Sequence, residues 1–212
     1  MTQSRSIPVL IPDLEADDRD HDPPASILRT QAAAIADKTG GEVVGTVEAG
    51  RSGSATLAYE LVLEVPSARY RYKLLRIEHG LDPYPLYLWQ GNFDKAETLA
   101  DEAAFLGALQ SFFGSPKFRQ VIVSLRALAR EAEEETGLSI GEYAALSFFR
   151  QFDIGESEAL SGAQLANAIE RLPLPLREKA TKALESLAAR GFVKKAGGGY
   201  LLLEEGSKLA YR

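Results

Sequence analysis

The chain has no cysteine, which excludes thiol nucleophiles, disulfides and cysteine-based zinc sites and fits a reducing compartment. Histidine is nearly as scarce. Only His21 and His79 are present, in different segments, and they offer little from which to build a histidine metal site or a Ser-His-Asp arrangement. Long apolar runs are missing too: the longest are a few residues, such as Leu201-Leu202-Leu203, against the roughly 20 that a bilayer-spanning helix needs. Residues 1–20 lack a basic start followed by an apolar core and a small-residue cleavage site. The expectation is a cytoplasmic protein with no membrane association. Carboxylates are plentiful, yet no pair stands in an apolar setting that would split its pKa values, and no metal-ligand spacing occurs. The chain therefore reads as non-enzymatic, with no catalytic residue, no cofactor and no metal.

What is there suffices for a core. The 212 residues are 45% hydrophobic and 25% charged, enough for one or two domains, and the formal charge of -6 argues against coating nucleic acid by bulk charge while leaving room for a local basic face. Residues 1–24 carry six acids against Arg5 and Arg19 and end in Pro23-Pro24, a composition that buries little surface; a mobile acidic arm is expected, with Ile7 to Pro12 as a short apolar stretch inside it.

Residues 25–137 read as an α+β domain. Ser26 is positioned to cap a helix over 26–39 whose Ile27, Leu28, Ala32, Ile35 and Ala36 recur at helical spacing, and Gly40-Gly41 ends it. Strands are expected over 42–48 and 55–65, where Leu57, Tyr59, Leu61, Leu63 and Val65 alternate onto one face, and over 70–78. A fourth short strand runs to Trp89 and is assigned to a sheet edge because Pro85 lacks an N–H. Two helices follow, over 95–113 and, from the cap Ser115 and Pro116, out to Gly137. Together these predict helices on one face of a four-stranded antiparallel sheet. The run Arg69-Tyr70-Arg71-Tyr72-Lys73 interleaves bases and aromatics as a single-strand binder would, but ordinary alternation sends Tyr70, Tyr72 and Leu74 inward and leaves Arg71 and Lys73 in water. Gly50-Arg51-Ser52-Gly53-Ser54 joins two strands and lacks the terminal Lys-Ser/Thr of a phosphate loop. Tyr84, Tyr87, Trp89 and Phe93 form either an exposed aromatic patch or core.

Residues 138–212 read differently. An apolar helix follows Ser139, a short helix follows Ser161, Pro173 and Pro175 lead into a helix over 176–190 with Ala180, Ala183, Leu184 and Leu187 on one stripe, and Gly191 stops it. Residues 192–195 and 200–203 then flank the tip Ala196-Gly197-Gly198-Gly199, and a last helical turn closes the segment. The stretches "LSGAQLANAI" and "ALESLAARGFVKKAGGGYLLLEEGSKLA" resemble the second helix and the recognition helix, wing and following turn of bacterial regulators of the MarR and PadR kind. The resemblance covers about 75 residues. It implies a winged helix-turn-helix domain, so that the fold class expected for the whole chain is α+β, an antiparallel sheet with helices followed by a winged helix.

Residues 174–200 hold six bases and two acids, Glu178 and Glu185, and the wing tip has no arginine. On the resemblance, Arg177, Thr181 and Lys182 would enter the major groove, Lys194 and Lys195 would touch phosphates and Lys179 would join the DNA-binding set, giving a DNA-binding transcription regulator that works as a homodimer, with the N-terminal domain sensing a ligand or making the dimer. The alternative is an adaptor whose winged helix binds a protein partner. A monomer with an uncharged or acidic helix surface favours the adaptor; a two-fold dimer with both basic faces on one side favours DNA.

Overall fold

The computed structural model describes residues 23–50, 53, 56–91 and 95–211. The acidic arm, with His21 and the apolar stretch at Ile7, and Phe93 of the aromatic cluster lie outside them. Helix α1 (Pro24–Thr39) starts two residues earlier than its capping signal suggests, because Pro24 at the first helical position gives up an N–H that would have had no partner. Ser26 therefore lies inside the first turn. The helix ends at Gly40, whose φ of 61° is left-handed.

Five strands follow as an antiparallel meander in the order β1 (Val44–Ala49), β2 (Leu57–Val65), β3 (Tyr70–His79), β4 (Leu86–Gln90), β5 (Ala96–Leu99). This corrects two expectations. The sheet has five strands rather than four, and β4 is interior, paired with β3 on one side and β5 on the other. Pro85 precedes β4, so its missing donor falls outside the ladder. Residues 96–99 look helical by composition. The Asp101 carboxylate, however, accepts the Ala104 N–H at 2.8 Å and sets the start of α2 (Glu102–Gly114) at Glu102, which releases Ala96–Leu99 to pair with β4. Helix α3 (Pro116–Thr136) begins at the expected Ser115 cap, with Phe118 N–H donating to Ser115 Oγ at 3.1 Å.

All three helices cover one face of the sheet. Ile27 and Leu28 of α1, Phe105 and Leu109 of α2 and Leu125 of α3 share one core with Leu61, Leu63, Leu75 and Ile77. The opposite face is a lattice of ion pairs: Lys73 to Glu60 at 2.6 Å, Arg76 to Glu60 at 3.2 Å, Arg71 to Glu64 at 2.9 Å and Arg71 to Glu48.

After Gly137, left-handed at φ 63°, the chain builds a second core. Helix α4 (Ile140–Gln151) opens on a capping box made by Ser139 and Glu142, and α5 (Gly162–Arg171) on another made by Ser161 and Gln164. Between them lies β6 (Ala159–Leu160), too short for any alternation to announce it. Helix α6 (Leu174–Ala189) leads into β7 (Val193–Ala196), β8 (Gly199–Leu202) and α7 (Glu204–Tyr211), and the small sheet has the order β6-β8-β7. The hairpin turns through Gly197 and Gly198 at φ 56° and 83°, a two-residue turn that needs positive φ at both positions. Phe148, Phe149, Leu160, Ala180, Leu184, Leu187, Val193 and Leu202 fill the core.

The two parts touch along a defined seam. Val44, Ile140 and Leu176 form a small third apolar cluster, and Leu176 fits against Gly41 so closely that a Cβ there would lie 2.4 Å from its Cδ2. Lys179 Nζ donates to Gly40 O at 2.7 Å, and Arg69 Nη2 donates to the Leu209 and Ala210 carbonyls at 3.1 and 2.8 Å. Among the described residues no helix is long and apolar enough to cross a membrane.

Candidate macromolecule-binding face

Helix α6 is amphipathic. Leu176, Ala180, Ala183, Leu184 and Leu187 point inward, and Leu174, Glu178, Thr181, Lys182, Glu185 and Ala189 are exposed. Its first turn is fixed by Pro175, whose preset φ suits a helix start. The helix accordingly begins at Leu174 rather than at Leu176, and Leu174 is left 69% exposed at its tip. The signal for that exposed leucine is the pair of prolines around it, Pro173 as the cap and Pro175 in the first turn.

The six residues assigned to DNA divide into three kinds. Arg177 and Lys179 are occupied within the protein. Arg177 donates through Nε to Leu172 O at 2.9 Å and through Nη2 to Glu170 O at 2.7 Å, which satisfies the carboxyl end of α5, while Lys179 is tied to Gly40 O across the seam. Thr181 and Lys182 do lie on the outer face. There Thr181 Oγ1 bonds back to Arg177 O at 2.9 Å, and Lys182 Nζ meets Glu178 Oε1 at 2.5 Å, a pairing that holds the Glu178 carboxyl below and the Lys182 ammonium above their ordinary pKa values. Lys194 and Lys195 stand exposed on β7 with no ion pair among the described residues. The structure thus brings Thr181 and Lys182 together on α6, keeps Lys194 and Lys195 on the hairpin beside it, and turns Arg177 and Lys179 to internal work.

Arg190, the remaining base of this segment, is also engaged. It donates to Glu142 Oε1 at 2.9 Å and Gly137 O at 3.0 Å and lies 4.8 Å over the Phe192 ring. Glu142 is buried and receives Ser186 Oγ at 2.9 Å as well. Burial pushes its carboxyl up, but the Ser139 N–H, Ser186 and Arg190 together hold it below the usual glutamate value.

On the sheet, Arg71 and Lys73 face outward as expected and are paired with Glu48, Glu64 and Glu60, so neither is left for a nucleic-acid backbone. Tyr70, expected inward, is 46% exposed, because it begins β3 beside the seam, where it lines a cleft between the two parts. Tyr84 packs against the core, Tyr87 is 45% exposed, and Trp89 is half-buried with Arg76 6.0 Å over its ring. His79 is buried, bonded through Nδ1 to Gly80 O at 2.8 Å and stacked on Tyr59. Among the described residues no group of three or more acids and histidines is placed to hold a metal ion.

No protein-family model, no curated protein and no solved structure matches the chain.

Proposed function

We propose that this chain is a non-enzymatic cytoplasmic adaptor, in which residues 138–211 form a winged helix-turn-helix whose outward α6 face binds a protein partner. The winged-helix reading is supported by the order helix, short strand, two helices and hairpin, with β6 added to the hairpin beside β8. The partner class is supported by one observation above all, the make-up of that face. Its centre presents Leu174, Glu178, Thr181, Lys182, Glu185 and Ala189, with Lys182 paired to Glu178 and with Glu185 left over, while the exposed Lys179 at its margin donates to Gly40 O. A helix that enters a DNA groove gains by releasing counterions from phosphates, and a face whose centre carries two glutamates against one lysine gains little that way. An exposed leucine ringed by mixed charge suits a protein surface instead. A monomer is expected, and sedimentation of the full chain checks it.

A second reading rests on Lys194 and Lys195, exposed and unpaired on the hairpin, which would hold duplex DNA by its phosphates. The two readings separate on binding to mixed-sequence duplex DNA at low and near-physiological salt, with wild type compared to a variant carrying Lys182→Ala, Lys194→Ala and Lys195→Ala. The adaptor reading expects no binding at either salt. Binding that falls with salt, with a slope about one unit shallower per lysine that touches phosphate, would instead establish the DNA reading.

A further inference from the structure

Along the seam between the two cores lies a half-open cleft of about 390 Å³, the size of an ordinary small-molecule site. Its floor is apolar, with Val65, Leu146 and Leu172 among the side chains that line it. Its polar groups are mainly cationic: three arginines, Arg69, Arg71 and Arg150, border it against one glutamate, Glu64, which is already bonded to Arg71 Nε at 2.9 Å. Arg71 is thereby spent. Arg69 and Arg150 are not.

Arg69 sits in the β2–β3 turn at φ 51°, a left-handed conformation that a non-glycine residue seldom adopts. It is held there by one guanidinium nitrogen, Nη2, bonded to the last carbonyls of α7, and its Nε and Nη1 have no bond among the described residues. Arg150 comes from the other side. On α4, Tyr143, Ser147 and Arg150 follow the spacing i, i+4, i+7, so they share one helix face, and all three line the cleft. The Tyr143 and Ser147 hydroxyls are satisfied by Ala132 O, Thr136 Oγ1 and Ala144 O, whereas the Arg150 guanidinium has no ion pair among the described residues. Arg71, Arg76, Arg126 and Arg190 are each matched to a glutamate, whereas Arg29, Arg119, Arg130, Arg171 and Arg177, like Arg150 and Arg69, are in no ion pair among the described residues; Arg150 and Arg69 are the two of these unmatched arginines that border the cleft. The Arg69 pKa is lowered by burial and next by the charge of Arg150, so the two cations act on one another. Two guanidiniums bordering one cleft repel each other, and an anion bound between them removes that repulsion.

We propose that this cleft is a binding site for a small organic anion, a carboxylate or a phosphate group on an apolar body, clamped between Arg69 of the sheet and Arg150 of α4. Forked guanidinium donors suit either group, and the apolar floor takes the rest of the molecule. A ligand held from both sides bridges the two cores and stabilises their contact, which gives the chain a chemical input independent of the α6 face.

The test is isothermal titration of the full chain with benzoate, phenyl phosphate and the neutral benzamide, repeated with Arg150→Gln. Arg150 is exposed at its helix end, and the unliganded variant is expected to melt with wild type. Saturable binding of benzoate or phenyl phosphate, weakened about tenfold or more by Arg150→Gln and absent for benzamide, supports the site, and which anion binds more tightly identifies the headgroup. No binding of either anion up to about 10 mM, binding unchanged in the variant, or equal binding of benzamide overturns it.

Discussion

A single carboxylate ties together two helices of the C-terminal part, α4 and α6. Glu142 closes the α4 capping box, accepts Ser186 from α6 and pairs with Arg190 at the end of α6. Because it is buried, replacing it by alanine removes the acceptor of Ser186 and the carboxylate partner of Arg190, which keeps Gly137 O, and a loss of about 2 kcal/mol in urea unfolding is expected. Its pH dependence has a definite sign. A carboxyl whose folded pKa lies below the unfolded value near 4.5 contributes fully above that value and loses the contribution as pH falls through the lower, folded one. Wild type should therefore lose more stability than Glu142→Gln as pH falls below the ordinary glutamate range, as read from paired denaturation curves. A parallel loss in the two proteins would mean that the carboxylate is not held as described. The Ser139 cap was legible in the sequence, whereas the role of Glu142 was not, since its partners lie 44 and 48 positions away. The same limit applied to the basic residues. Composition counted Arg177 and Lys179 as free cations, and only the fold shows that backbone carbonyls of α5 and the α1–β1 turn consume them.

Elements were legible where a local signal fixed their ends. Ser115-Pro116, Ser139, Ser161, Gly137 and the glycine tip each mark a boundary that the structure keeps. Ser161→Ala removes the acceptor of the Gln164 N–H and should cost about 1 kcal/mol in the same unfolding measurement. Strand β5 was not legible, since Ala96-Glu97-Thr98-Leu99 favours a helix by residue type and becomes a strand only because Asp101 starts α2 later and β4 offers a free edge. With β5 paired to it, β4 lies inside the sheet and Pro85 just before it, outside the ladder.

For the molecule as a whole, the sequence indicated two parts and a boundary near Gly137 but nothing of the seam, because contacts such as Lys179 to Gly40 and Arg69 to Leu209 join residues 139 and 140 positions apart. Gly41 shows how tight that seam is: at φ 86° and with Leu176 pressed against it, it leaves no room for a side chain. Gly41→Val is expected to cost about 2–4 kcal/mol, by backbone strain and by displacing Leu176, and to increase protease cleavage between the two parts. Unchanged stability would mean that the seam is loose. The central claim concerns the α6 face, and a photoreactive phenylalanine analogue at the exposed Thr181 tests it inside the cell. The adaptor reading predicts one discrete protein adduct, resistant to nuclease and abolished by Leu174→Asp; an adduct with nucleic acid, lost on nuclease treatment, would contradict it.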